Sequence, residues 1–231
     1  KFGTYGGNTT CLEVRCDDQV IIIDTGTGAR ALGNDLQKRG LAGEKIHLLY
    51  SHYHLDHVQG FPFFGPIYAP KTLLMIYGGV SPDVVQRVLK SQMAYPNFPV
   101  LLQDLPSTIR FHGFEPGESL DLDGIQVDTC ELHHPGGAVA YRINHRGKSF
   151  IQASDTEHEG NTPDPRLVKL CRDADVLSYD STYVEGEEYD RFKGWGHSTW
   201  AAGHRVADAA GVGRFVVFHH DPAHDDDFMD Q

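Results

Sequence analysis

His52, His54, Asp56 and His57 stand in one short segment, Ser51-His52-Tyr53-His54-Leu55-Asp56-His57, which directly follows the apolar run Lys45–Tyr50. Imidazole nitrogens and a carboxylate at this density are borderline and hard donors. That set suits Zn2+, Mn2+ or Fe2+, and no thiolate accompanies it. A single ion cannot comfortably take all four groups from so short a loop. Alternate residues would face one ion, and the Asp56-His57 pair would serve a second nearby. A histidine-rich surface loop is the plainer alternative, but the buried strand running straight into the motif speaks against it.

The elements that must hold these groups follow from periodicity and turn chemistry. Thr9–Arg15 alternates and reads as a strand, and Gln19–Asp24 is an apolar strand closing in Asp24-Thr25-Gly26-Thr27-Gly28. That turn lacks the Lys-Ser/Thr of a phosphate-binding loop, so it reads as structural. Ala29–Arg39 has helical spacing with Gly40 placed to stop it, and Pro82–Met93 reads as a helix with Ser81 as cap. Later strands are expected at Ile125–Leu132, Ala138–Asn144, Lys148–Ala153, Asp175–Tyr179 and Arg214–Phe218, with helices at Pro165–Arg172 and Thr199–Ala210, the latter capped by Ser198. Strand after strand finishes in a turn bearing His or Asp: His133-His134, Ser154-Asp155, Asp180, His219-His220. Such a pattern describes one site assembled from several strand ends. Residues 61–119 mix aromatics with Pro and Gly and read either as an insertion roofing the site or as packing under a long loop.

The chain of 231 residues fits one large domain, or at most two small ones, and 40% hydrophobic with 23% charged residues is ordinary for a globular protein. No apolar run approaches the ~18 residues of a membrane span. No signal peptide is visible, although a chain starting at Lys1 leaves its true start open. Cys11, Cys16, Cys130 and Cys171 form no CxxC pair and no zinc-knuckle spacing; they read as reduced, mostly buried thiols of a cytoplasmic protein. A formal net charge of −12 argues against a general nucleic-acid surface. The tail His224-Asp225-Asp226-Asp227 reads as a solvated acidic helix start.

HxHxDH after an apolar strand resembles the metallo-β-lactamase superfamily, and further motifs of that family occur in order between about Tyr5 and Pro222. Asp24 resembles the early structural aspartate, His134 the third-motif histidine, Asp155 the bridging aspartate and His219 the last ligand. The resemblance implies an α/β fold, a four-layered αβ/βα sandwich with two mixed β-sheets. It also implies two divalent ions, zinc first with manganese or iron as alternatives. His52, His54 and His134 would hold one ion, Asp56, His57 and His219 the other, and Asp155 would bridge them. A hydroxide shared by the ions would attack the substrate, with Asp56 doubling as proton acceptor. His133 and His220 adjoin two of these ligands, and neighbours on a strand end point opposite ways, so one of each pair should reach the metals.

Gly196-His197-Ser198-Thr199, followed by Ala201-Ala202 and Ala207, resembles a segment of the tRNA 3′-processing nucleases and of the phosphoribosyl cyclic phosphodiesterases. By that resemblance His197 is a general acid or an electrostatic clamp on the leaving oxygen. The basic, glycine-rich arm of the tRNA nucleases has no counterpart in the sequence. A small or cyclic phosphodiester is therefore the expected substrate, with Tyr77, Tyr95, Phe98 and Trp195 as candidates to stack on it. Rivals on the same ligands are a lactonase or thioesterase, an RNA-processing nuclease, and a metal-loaded sensor without turnover. Asp180 would either support the site or begin a turn. A homodimer stays open.

Overall fold

The structure, a computed structural model, describes residues 3–230. These fall into two compact units, residues 8–115 and residues 116–230 with 3–7.

The 8–115 unit is built on one five-stranded sheet. Its strands are β1 (Leu12–Cys16), β2 (Gln19–Ile23), β3 (Lys45–Tyr50), β4 (Leu73–Gly78) and β5 (Thr108–Gly113), in the order β1-β2-β3-β4-β5. β1 pairs antiparallel with β2, and the other pairings are parallel. The runs Val20–Ile23 and Ile46–Tyr50 are buried throughout, as parallel strands covered on both faces require. Helices α1 (Ala29–Lys38), α2 (Leu55–Val58) and α3 (Pro82–Gln92) complete the unit. α1 buries Ala29, Gly33 and Leu36, one stripe at helical spacing, and α3 buries Val85 and Leu89. Those side chains join Ile22, Leu48, Leu74 and Ile76 in one core. Each fully buried aliphatic side chain there contributes about 1.5–3 kcal/mol.

The 116–230 unit carries a six-stranded sheet of β6 (Ser119–Leu122), β7 (Ile125–Leu132), β8 (Ala138–His145), β9 (Lys148–Ala153), β10 (Val176–Asp180) and β11 (Phe215–Phe218). Their order is β11-β10-β9-β8-β7-β6, with β9, β10 and β11 parallel and the rest antiparallel. Its helices are α4 (Pro165–Cys171), α5 (Glu187–Arg191), α6 (Trp200–Ala210) and α7 (Asp226–Met229). α4 and α6 pack Leu167, Leu170, Val206 and Ala207 onto Ile151, Ala153, Leu177 and Tyr179. Gly203 of α6 admits this packing, because a Cβ there would press on the rings of Tyr179 and Phe215.

Both sheets are mixed and both carry helices, as the sequence reading expected of the fold class. Most expected strands form within a residue or two of their anticipated bounds. Within residues 61–119, β4 and β5 are regular strands of the first sheet, whereas the sequence reading expected neither. The cap of α6 also differs: Thr199, not Ser198, occupies it and accepts the Ala202 amide at 3.1 Å. The acidic tail is not merely solvated. Asp225 caps α7, and Asp226 accepts the amides of Gly3, Thr4 and Tyr5. Among the described residues no helix is long and apolar enough to cross a membrane.

Register sets where chemistry can happen. Ile23 lies beside Leu49, so β2 and β3 reach their carboxyl ends together. In the second sheet Ala153 pairs with Tyr179, and Asp180 with Phe218, so β9, β10 and β11 also finish nearly level. The residues that follow these ends are the ones singled out by their chemistry.

Candidate metal centre

In the 8–115 unit Asp24 and Ser51 follow the level ends of β2 and β3. Asp24 is fully buried and adopts φ 61, a left-handed conformation that costs most side chains energy and that Asp tolerates better than most. Its Oδ1 accepts the Ser51 amide at 2.8 Å, and its Oδ2 accepts the Ser51 hydroxyl at 2.7 Å. The same Oδ2 lies 2.8 Å from His57 Nδ1. A carboxylate can only accept, so His57 carries its hydrogen on Nδ1 and the lone pair of the neutral ring is on Nε2.

His57 Nε2 faces Asp56 Oδ2 at 3.3 Å. The His52 ring meets those of His54 and His57 at centroid distances of 4.6 and 4.2 Å. The single turn of α2 presents this group. The Asp24-Thr-Gly turn packs directly against its backbone, with Thr25 N–H donating to His57 O at 2.8 Å. A side chain at Gly26 would collide with the Asp56 carbonyl, and one at Gly60 with the Gly26 carbonyl, so glycine is needed at both positions.

In the 116–230 unit His134 follows β7. It is buried, and its Nδ1 donates to Gly196 O at 2.8 Å, which again puts the neutral ring's lone pair on Nε2. Its neighbour His133 is exposed, 3.6 Å from Glu159. Asp155 follows β9 at φ 61 and is buried; the Ser154 hydroxyl donates to its Oδ2 at 2.5 Å. His219 follows β11 at φ 60. Its Nδ1 is 3.1 Å from Thr182 Oγ1, and its Nε2 is 3.5 Å from Asp155 Oδ1. His220 is half-buried, and burial is the main cause that pushes its pKa down.

Asp180, at the end of β10, anchors the remainder. Its Oδ1 accepts the Thr182 and Ser198 amides, each at 3.1 Å, and the Thr182 hydroxyl at 2.8 Å. Its Oδ2 accepts the Thr156 amide at 3.2 Å and lies 3.0 Å from His197 Nδ1. The His197 and His219 rings stack at 5.1 Å, 16° from parallel. Donor atoms of Asp180, His197 and His219 all lie within 4.8 Å of one another.

The donors gathered in each unit are nitrogen and oxygen only, dense and partly buried, and they fit divalent ions of the zinc class. Sequence reading found the ring and carboxylate donors. It did not find Ser51, Thr182 or the Gly196 carbonyl as their supports, it treated Asp24 as a turn residue, and it left Asp180 undecided. The available signal was position: both aspartates stand at strand ends, next to the histidine-bearing loops.

The family described as the beta-lactamase superfamily domain matches residues 19–220. The chain belongs to the metallo-β-lactamase superfamily. A ribonuclease Z from Myxococcus xanthus (strain DK1622) is 37% identical over 277 aligned residues, spanning 97% of this chain and 85% of that protein. This relative places the chain on the ribonuclease Z-like branch of the superfamily, among hydrolases. Its name also stands against the expectation, drawn from net charge, that a nucleic-acid partner is absent. The metallo-beta-lactamase fold protein YhfI from Bacillus subtilis superposes with a TM-score of 0.71 at 18% identity, over 95% of this chain and 81% of that one. A diphosphatase from the PhnP family superposes with a TM-score of 0.65 at 18% identity, over 93% and 74% of the two chains. These two likenesses show the metallo-β-lactamase fold.

Proposed function

We propose that this protein is a two-metal phosphodiesterase whose substrate is a small or cyclic phosphodiester. The observation that carries the reading is the common use of the imidazoles. His57, His134, His197 and His219 each commit Nδ1 to Asp24, the Gly196 carbonyl, Asp180 or Thr182. That leaves Nε2 as the ring's working nitrogen, the pattern of metal-ligating and proton-transferring histidines.

In this reading His52, His54 and His134 would hold one ion, Asp56, His57 and His219 would hold the second, and Asp155 would serve both. Zinc is the first choice, with manganese or iron as alternatives. When bound, two such ions supply an acidified water and Lewis-acid stabilisation of the attacking and leaving oxygens. Asp56 takes the proton of the attacking water. His197 gives a proton to the leaving oxygen, and Asp180 stabilises the imidazolium form needed for that step. Free thiols at all four cysteines support a reducing, cytoplasmic setting.

The small-substrate part rests on the charge of −12 and on a sequence without a basic, glycine-rich arm. A second reading, RNA as substrate, is favoured by the relative's name, ribonuclease Z. Hydrolysis of bis(p-nitrophenyl) phosphate by the zinc- and manganese-loaded protein, compared with Asp155→Ala and His197→Ala, tests the reaction. Turnover by wild type, abolished in Asp155→Ala and lowered to a small but measurable rate in His197→Ala, supports it. Metal binding without diester cleavage, with cleavage of lactones or thioesters instead, overturns it. Cyclic phosphates and a 3′-extended transfer RNA, assayed side by side, separate the two substrate readings.

A further inference from the structure

His158 takes no part in the chemistry above. It lies half-buried between β9 and α4, its ring stacked on Tyr189 at 4.3 Å and 18°, and its carbonyl accepts the Tyr189 hydroxyl at 2.8 Å. Its Nδ1 is 2.8 Å from Ser198 Oγ. Ser198 is fully buried and adjoins His197. The Ser198 amide donates to Asp180 at 3.1 Å, and its hydroxyl lies 3.1 Å from the Tyr179 hydroxyl. Ser198 is therefore gripped twice, by Asp180 at the backbone and by His158 at the side chain, while the same Asp180 holds the ring of His197.

We propose that His158 is a positioning residue for the reaction: through Ser198 it fixes the short segment from which His197 projects. The proposal rests on the reading of His197 as the group that acts on the leaving oxygen. A serine hydroxyl has one hydrogen to give. Burial keeps the Tyr179 hydroxyl protonated. In the proposed arrangement it donates to Ser198 Oγ, Ser198 donates to His158 Nδ1, and His158 is a neutral ring protonated on Nε2. Burial first, and the charge of Arg205 second, hold His158 below the usual histidine range and favour that neutral form. Tyr189 fixes the ring from the other side, so the imidazole has little freedom to follow a displaced Ser198. Leucine at 158 would remove the acceptor and leave the Ser198 hydroxyl buried without it, at a site where a shift of about 1 Å can cost about 10²-fold in rate.

The test compares wild type, His158→Leu and His158→Asn, each alone and in a His197→Ala background, as metal-loaded protein on bis(p-nitrophenyl) phosphate. His158→Leu should lower kcat about tenfold with KM and metal content unchanged. His158→Asn, whose side-chain oxygen can accept from Ser198, should recover most of the loss. Neither change should matter once His197 is alanine. Unaltered kcat in His158→Leu, or an equal loss in the His197→Ala background, overturns the proposal. Imidazole nitrogen NMR on the unmutated protein reads the same arrangement without turnover: His158 should appear as the Nε2–H tautomer. A hydrogen on Nδ1 overturns it. If wild type leaves the diester untouched while this tautomer is seen, the proposed reaction has failed and the positioning geometry has not.

Discussion

Asp24 and His57 meet at 2.8 Å, carboxylate Oδ2 to ring Nδ1, with neither side chain exposed. The pair fixes which ring nitrogen carries hydrogen, and in the proposed two-metal site it would strengthen the other as a metal donor. Replacing Asp24 by alanine should weaken zinc binding about 10–100-fold, read by competition with a chromogenic chelator. Affinity equal to wild type in a folded Asp24→Ala protein would show that His57 does not bind the metal, or does so without help.

Asp180 serves His197 as Asp24 serves His57, but it also holds three backbone amides. Asparagine keeps the size and loses the charge that favours an imidazolium. For Asp180→Asn, kcat is expected to fall about 10²-fold, the lower range of general acid catalysis, with both metals retained. Metal content by atomic absorption and kcat at saturating diester check this, and a kcat within twofold of wild type contradicts it.

Gly196 has φ +86, and a Cβ there would fall on the His134 ring and on Pro135. Gly137, at φ +83, has nothing within 4 Å. Alanine at 137 should therefore cost only the left-handed backbone penalty of about 1–2 kcal/mol in stability. Alanine at 196 should add displacement of His134, with loss of one bound metal and of activity. Melting temperature and metal stoichiometry of the two variants, side by side, separate the effects. Equal metal content in both would mean that His134 is not displaced or does not hold a metal.

Asp226 is the pH-sensitive anchor of the N-terminal residues. Burial alone would raise its pKa, but amides from Gly3, Thr4 and Tyr5 outweigh that and hold it low. A carboxylate lowered on folding contributes stability above its unfolded value of about 3.9, and loses it as pH falls through the folded value. Amide NMR shifts of residues 3–5 should stay constant from pH 8 to about 5 and change only in the acid range below about 4. A transition near neutrality would rule this anchor out, and Asp226→Asn should release the segment at every pH.

The 52–57 loop was legible as a candidate metal site because its donor side chains are nearly contiguous and follow a strand of uninterrupted apolar residues. His134, Asp155 and His219 were legible for the same reason: each trails a readable strand. β4, Leu-Leu-Met-Ile-Tyr-Gly, has few β-branched residues and so a weak strand signal, whereas β5 alternates exposed Thr108, Arg110 and His112 with Ile109 and Phe111, a period-two signal that the sequence reading passed over. The supporting roles of Asp24 and Asp180 depend on partners 33 and 17 residues away. No local pattern encodes such contacts. At 198–199 two adjacent hydroxyl residues compete for one helix cap, and the winner is decided by what Asp180, Tyr179 and His158 demand of the other.

Asp24, Asp155 and His219 leave their strands at φ 61, 61 and 60. Glycine would sit in that conformation without cost, and asparagine with little. Asp155 and His219 thus hold their places against a standing thermodynamic preference for a different residue, whereas Asp24 offsets that cost through its bonds to Ser51 and His57. Mutation and selection for folding alone would erode Asp155 and His219 toward glycine or asparagine as the site is lost. Descendants of this chain that have abandoned hydrolysis should carry that mark at these two backbone positions first.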